Sequence, residues 1–351
     1  MQSATFSVDA SIYLDQTRFL REQDFLLKKS WILACHESEV SSAGAYYVFE
    51  HLGQSVIILR DESGQIHALQ NTCRHRGSYL LKSSGHCRTI TCPYHGWKYN
   101  QDGSGIPNGL DLRPDAAGLQ KVHSSVSSGF VWLHFGKNPP DFSEHLAETG
   151  RYFEAFHSAD MVVYKKRHFL LDCNWKNYLE NILDSYHIAT VHNSLLQKIA
   201  RVSELDITRE HKNLVLKIPI ADYRWRIALE KHLARAPSAG DLTRSYHKLH
   251  IFPNTVINFT ALNATVYNIW PRAVGQTLVE YTFLRAKSYN PLVLARNALL
   301  FRYSMLINRE DNAILPDYYR NLMRNPKQQH RFVSSEASLI ELHKGLAKYL
   351  K

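Results

Sequence analysis

Apolar residues fall at Ile12, Leu14, Phe19, Leu20, Phe25, Leu26 and Trp31, a spacing that predicts one or two amphipathic helices over 11–31. From Tyr46 the period shortens to that of β-strands, in YYVFEHL, SVIILRD and QIHALQN, punctuated by Gly53 and the turn Glu62-Ser63-Gly64. The same character runs through TITCPYHGWKY, the turn Asp102-Gly103 and GFVWLHF, and Asn138-Pro139-Pro140 closes the block. Residues 37 to about 140 therefore read as a small antiparallel β domain.

Beyond 140 the pattern predicts helix over 142–156, strand over 161–171 and a long helix from Trp175 to Ala200. Strand-like runs follow at 213–220, 246–260, 264–272 and 276–286, then helix over 291–324 interrupted at Pro316. Strands flanked by helices argue an α+β fold, with the small antiparallel β domain followed by a larger domain whose antiparallel sheet is flanked by helices. The expected division is 1–36, a helical segment packing on the larger domain, then 37–155 for the small domain and 156–351 for the larger one. No internal repeat or low-complexity segment is visible.

Composition narrows the class. The 351 residues suffice for two domains with full cores, and 44% apolar with 21% charged residues is ordinary for a soluble globular chain. No run reaches the roughly 18 apolar residues a membrane span needs, so no membrane is expected as a partner. The N-terminus lacks a basic stretch followed by an apolar core, so no secretory signal is expected. Five cysteines form no evident disulfide framework, which points to a reducing cytoplasm. The formal net charge is +10, but the basic residues are spread along the chain and no recognition motif accompanies them, so nucleic acid is not expected either.

The chemistry is concentrated in Cys73, His75, Cys92 and His95, which read Cys-x-His, sixteen intervening residues, then Cys-x2-His. Two thiolates and two imidazoles in that order fit a 2Fe-2S cluster in which one iron takes the cysteines and the other the histidines. A structural zinc site is the alternative, but such sites usually begin Cys-x2-4-Cys. Gly77 and Gly96 suit a close backbone approach to the cluster, and Pro93 fixes a turn. Cys87 reads as a buried small hydrophobe rather than a further thiol of this region. Residues 71–100 carry Arg74, Arg76, Lys82, Arg88 and Lys98 and no Asp or Glu. Such a positive rim would steer an acidic electron donor and equally stabilise a reduced, more negative cluster.

A second constellation lies in the helical stretch. A mononuclear non-haem iron centre needs two imidazoles and one carboxylate on one face of the metal, with the other face open. His187 and His192 can supply the imidazoles. Five positions turn about 140° on an ideal helix, so a helix end, bulge or kink is expected between them. Asp184, three residues before His187, can accept from two imidazole N–H groups at once.

The stretch Gln70–Asn100 resembles the Rieske domain of the Rieske non-haem iron oxygenases. Asn181-x2-Asp184-x2-His187-x4-His192 resembles the iron motif of their terminal oxygenase components. The resemblance implies a 2Fe-2S cluster on Cys73, His75, Cys92 and His95, and Fe(II) on His187 and His192. It implies a third iron ligand downstream, best matched by Asp311 within Ile307–Ile314. Family members often continue with a Glu and a Gln where Pro316 and Asp317 stand here, which leaves Glu310 and Asp317 as alternatives. By the same resemblance Asp184 links His187 to a cluster histidine of a neighbouring subunit, His95 by motif order, in a head-to-tail homotrimer that can carry a small second subunit. Asn181 is assigned either to the open iron face or to local helix bonding, and Tyr186 to packing beside a ligand.

Electrons are then expected one at a time from a separate reductase, with or without a ferredoxin. The chain has no Gly-x-Gly-x2-Gly fingerprint, which agrees with NAD(P)H binding elsewhere. The implied reaction inserts oxygen from O2 into a small organic substrate. ENILDSYHIATVH is similar to aromatic-acid hydroxylating members, so an aromatic substrate is expected first. Oxidative N-demethylation or quaternary-amine oxidation comes second and would require an aromatic cage. Ile251–Phe259 reads either as a wall of the pocket or equally as ordinary sheet core. The reading from another class is a Rieske electron carrier without oxygenase activity, against which the length speaks, since a carrier needs only the 37–140 block.

Overall fold

The computed structural model describes residues 6–107, 118–192, 201, 204–220, 245–260 and 263–349. The chain opens with strand β1 (Phe6–Asp9) and helix α1 (Gln16–Lys29), the latter burying Phe19, Glu22 and Leu26. It divides into two compact units, one spanning 27–142 and the other joining the described residues up to Leu26 to those from Ser143 onward.

The first unit is antiparallel β throughout. Strands β2 (Ile32–His36), β3 (Ala45–His51), β4 (Gln54–Arg60) and β5 (Ile66–Gln70) are followed by four two-residue strands, β6 (Gly85–His86), β7 (Ile90–Thr91), β8 (Lys98–Tyr99) and β9 (Gly105–Ile106). Strands β10 (His123–Ser127) and β11 (Phe130–His134) complete it. Three sheets result, ordered β5-β4-β3-β6, β10-β11-β2 and β7-β8-β9. Ile57, Leu59, Leu69, Ile90 and Tyr99 form one apolar cluster with Cys73, Cys92 and Trp97, so both candidate cluster loops are rooted in the core. The expected boundary after residue 36 falls ten residues earlier, because β2 pairs with β11 and so belongs to this unit.

The second unit carries the expected α+β architecture. Short helices α2 (Phe142–Leu146) and α3 (Gly150–Ala155) belong to it rather than to the β unit, which moves the second boundary from 155 to 142. Asn213 shows why: its Nδ2 donates to the His145 carbonyl at 2.9 Å. Next come β12 (Met161–Leu171), α4 (Trp175–Leu183) and the single-turn α5 (Ile188–Val191), then β13 (Asp206–Glu210) and β14 (Asn213–Pro219). Strands β15 (Ser245–Ile251), β16 (Thr255–Phe259), β17 (Asn263–Ala273) and β18 (Gln276–Ala286) precede helix α6 (Pro291–Arg324), β19 (Gln329–Phe332) and helix α7 (Ala337–Tyr349). Seven strands form one antiparallel sheet, ordered β12-β18-β17-β16-β15-β14-β13, and β1 pairs with β19. Helices α4, α6 and α7 pack on the sheet and bury Leu179, Leu183, Tyr267, Tyr281, Phe301, Leu315 and Leu342 in one cluster.

Three expectations change. The run 246–260 is a hairpin of two strands. Pro316 does not interrupt its helix: it withdraws one amide from the i→i−4 ladder, but Leu315, Tyr319 and Leu322 are buried around it and hold α6 continuous. The long helix expected from Trp175 stops at Leu183, and its stretch beyond His192 lies outside the described residues. The start of α4 is firmly set. Asn174 accepts from the Lys176 amide at 3.0 Å, and its Nδ2 donates to the carbonyls of Tyr13 and Val274. Lys176 and Glu22, both fully buried, pair at 2.6 Å, and Trp175 Nε1 donates to the same carboxylate.

Candidate functional site

In the β unit, the two loops Cys73–Gly77 and Cys92–Trp97 close in the same way. The Gly77 amide donates to the Cys73 carbonyl at 3.0 Å and the Gly96 amide to the Cys92 carbonyl at 3.1 Å. Each turn needs its glycine for a left-handed backbone, with φ of 77° and 71°, which a side chain would strain. Both cysteines are buried, and both histidines are exposed and face each other with ring centroids 4.7 Å apart. His75 also stacks on Trp97 at 4.8 Å. Burial would raise the Cys92 thiol, but hydrogen bonds from the Tyr94 and His95 amides outweigh it and lower it, which favours the thiolate a metal needs.

Tyr99 lies 3.2 Å from Cys73 Sγ and accepts from the Arg74 amide at 3.0 Å. Burial and the Cys73 sulfur raise its pKa, so the hydroxyl keeps its proton and can donate to a ligand sulfur, which tunes a cluster potential upward. The buried Trp97 Nε1 has no acceptor among the described residues. Two buried thiols, two outward imidazoles and donors aimed at sulfur fit a 2Fe-2S cluster. Arg74, Arg76, Lys82, Arg88 and Lys98 are all exposed around these loops.

In the second unit, the break expected between His187 and His192 is present in a different form. Helix α4 ends at Asp184, whose ψ of 128° turns the chain out, and the two histidines bracket α5 as its caps. His187 Nε2 and His192 Nε2 come within 3.3 Å of each other, and Asp311 Oδ1 on α6 lies 3.5 and 3.3 Å from them. Among the described residues these three form the one group placed to share a metal ion.

The outer ring nitrogens are occupied. His187 Nδ1 faces Asp184 Oδ2 at 3.1 Å, and His192 Nδ1 faces Glu310 Oε2 at 2.9 Å. With both Nδ1–H groups donating to carboxylates, the neutral rings turn their Nε2 lone pairs toward one another and toward a carboxylate, a set only a proton or a cation can reconcile. Two nitrogens about 2.1 Å from one metal would stand about 3 Å apart. The donors therefore fit a mononuclear iron centre. Without metal a proton fills the role. Burial depresses the His187 ring, yet Asp184 and Asp311 outweigh it and push it up to about 9. Burial would likewise raise Asp311, but His187 and His192 hold its carboxyl well below the usual range.

The alternatives to Asp311 separate cleanly. Asp317 is exposed and paired with Arg320, and Glu310 serves His192 from behind. Asp184 is half-buried and accepts from the Tyr186 amide at 2.7 Å as well as from His187. Asn181 is half-buried on the last turn of α4, and Tyr186 is exposed. Sequence reading did not anticipate Glu310 as the partner of His192. It also missed Asn308, one turn before Asp311, which binds Tyr267 at 3.2 Å and Tyr178 at 3.5 Å, and Lys248, buried on β15. Adjacent acids in Glu310-Asp311 were the only available signal.

Comparison with known proteins agrees with this geometry. Residues 30–109 match the Rieske [2Fe-2S] domain family, and residues 153–351 match the family described as the ring hydroxylating alpha subunit (catalytic domain). The chain is 30% identical over 317 residues to the glycine betaine monooxygenase oxygenase subunit of Pseudomonas aeruginosa, covering 80% of this chain and 74% of that one. It is 31% identical over 195 residues to the carnitine monooxygenase oxygenase subunit of Escherichia coli, covering 53% and 52%. The crystal structure of a quaternary ammonium Rieske monooxygenase, CntA, superposes with a TM-score of 0.85 at 20% identity over 99% of this chain and 96% of that one. A catalytic domain of this kind rules out the reading as an electron carrier alone. Among the described residues no helix is long and apolar enough to cross a membrane. With a Rieske domain followed by a ring-hydroxylating alpha-subunit catalytic domain, the chain belongs to the Rieske non-haem iron oxygenases, as a terminal oxygenase component using a 2Fe-2S cluster, non-haem iron and electrons from a reductase.

Proposed function

We propose that this oxygenase acts on a methylated amine that also bears a carboxylate, inserting one oxygen atom into an N-methyl C–H bond. The second oxygen atom leaves as water, using two electrons and two protons. The observation that carries the substrate class is the 30% identity, over four fifths of the chain, to a subunit named for glycine betaine. Glycine betaine and carnitine both join a quaternary nitrogen to a carboxylate. We therefore put the methylated-amine reading ahead of the aromatic substrate expected from ENILDSYHIATVH.

Cys73, His75, Cys92 and His95 would hold the cluster, and His187, His192 and Asp311 the iron. Bound there, the iron supplies oxygen activation on its open face. The protein's own part is to fix the imidazole tautomers through Asp184 and Glu310, and to keep Asp311 ionised. Asp184 presents His187 toward a neighbouring subunit's His95 in a head-to-tail homotrimer, and Asn181 lies one helical turn from it. The donor is a reductase, directly or through a ferredoxin.

A substrate screen tests the reading. Purified holoenzyme with a surrogate reductase should consume oxygen in step with formaldehyde release from glycine betaine, carnitine or a related methylated amino acid. His187→Ala should abolish both while the cluster absorption persists. Turnover of aromatic acids with no response to any methylated amine would restore the aromatic reading.

A further inference from the structure

Lys248 is the unusual group near the iron triad. It lies in the middle of the seven-stranded sheet on β15, 8% exposed, with its ammonium donating to the Ile182 carbonyl at the end of α4. That contact accounts for one donor of three and caps one of the carbonyls a helix end leaves open. No carboxylate pairs with Lys248 among the described residues, although Asp311 and Asp184 are near enough for their charges to act on it. Burial pushes its pKa down to about 8 and those two charges hold it up, so it remains mostly a cation at neutral pH.

Its neighbours across the sheet share its face. Register pairs Lys248 with Asn258, and Asn258 with Thr265. Asn258 Nδ2 donates to Thr265 Oγ1 at 3.1 Å, which leaves Asn258 Oδ1 buried and without a partner among the described residues. Two positions along from Thr265 on the same face, Tyr267 reaches Asn308 on the helix that carries Asp311. Lys248, Asn258, Thr265 and Tyr267 thus form a row of polar side chains across the sheet, on the face turned toward the helices that bear the candidate iron ligands. A buried ammonium with a single neutral acceptor is costly unless an anion joins it.

We propose that Lys248 is the anchor for a substrate carboxylate, holding the anionic end of a small organic acid so that its oxidisable carbon faces the His187–His192–Asp311 site. The proposal deepens the substrate reading above and rests on it for the amine end only. Lys248 is a positioning and specificity residue, since it binds the end of the substrate that does not react.

The test is binding of matched pairs to iron- and cluster-loaded enzyme under anaerobic conditions, by calorimetry: glycine betaine against choline, and anthranilate against aniline. Wild type should bind at least one carboxylate roughly ten- to hundredfold more tightly than its uncharged-end partner, the range expected of a charge-assisted hydrogen bond. Lys248→Met should erase that preference, leave affinity for the partner compound unchanged and keep full iron content. Lys248→Arg should restore part of the preference. A wild type that prefers neither carboxylate over its partner overturns the anchor, and equal binding of choline and glycine betaine then leaves methylated amines as the substrate class; this needs no variant to fold. A preference for anthranilate that depends on Lys248, with no amine bound, keeps the anchor and removes the proposed amine. Retention of the preference in Lys248→Met overturns the anchor.

Discussion

Two imidazoles with both outer nitrogens held by carboxylates have their inner lone pairs committed before any metal arrives. In this chain Asp184 and Glu310 do that for His187 and His192. Partners of metal-binding histidines typically contribute about 10- to 100-fold in metal affinity. Glu310→Gln keeps the shape of the side chain and removes its charge, so it should weaken iron binding by about that factor in a chelator competition, with the cluster absorption unchanged. An unaltered iron affinity would show that Glu310 only fills space behind the ring. The residues named from sequence were legible because thiol and imidazole at fixed spacings have few other uses. Glu310 and Lys248 were not, because their roles depend on which helix or strand stands opposite, and no spacing along the chain encodes that. Glu310 was read as a rival to Asp311, although it faces Nδ1 of the His192 ring while Asp311 faces Nε2.

Single elements explain both what the hydrophobic pattern revealed and what it concealed. It placed β12, β17, β18 and α6 almost to the residue, since eleven-residue strands and a 34-residue helix repeat their period many times. It overran α4, where the apolar spacing continues past Leu183 but the Asp184 cap and the two histidines end the helix. It passed over β1, β13 and β19, four or five residues each, too short to establish a period. Helix α4 carries Asp184 at its end, so the clamp at its start bears on the site. Glu22, Lys176 and Trp175 meet in the core, and the half-exposed Arg18 reaches the same carboxylate. Glu22→Ala strands the Lys176 ammonium and should cost about 3–5 kcal/mol in denaturant unfolding, whereas adding Lys176→Met should recover much of the loss. Strand β15 adds a pH dependence. Burial keeps His250 neutral down to about 4, and burial with the nearby Lys217 charge does the same for His247. A lowered folded-state pKa leaves stability intact above the ordinary value of 6.5 and removes it as pH falls toward 4, because the unfolded chain takes up the protons first. The second unit should therefore lose up to about 1.4 kcal/mol per pH unit for each histidine over that window. Urea titrations at several pH values would show it, and a flat profile would mean that these rings are charged in the fold.

At the scale of the molecule, the two candidate centres sit in separate compact units. The cluster histidines and the flanking Tyr94 are exposed, and so is Tyr186 beside His187. The electron route between the two centres can be read from mixed assemblies. One variant, Cys73→Ser, lacks the cluster and keeps its iron site; the other, His187→Ala, lacks the iron site and keeps its cluster. Each alone is inactive whether electrons travel within a chain or between chains. Co-expressed with different tags and purified through both, they would form mixed rings in the proposed trimer. Around any ring of three that contains both types, only one junction has an intact cluster preceding an intact iron site, so a head-to-tail trimer should recover about one third of wild-type turnover per ring. Transfer confined to one chain gives no recovery, whatever the ratio of the two variants. Asp184→Asn, placed in the iron-competent partner alone, should then abolish the recovered activity. The same change in the cluster-competent partner should leave it untouched, since only the Asp184 of the iron-competent subunit lies at the working junction.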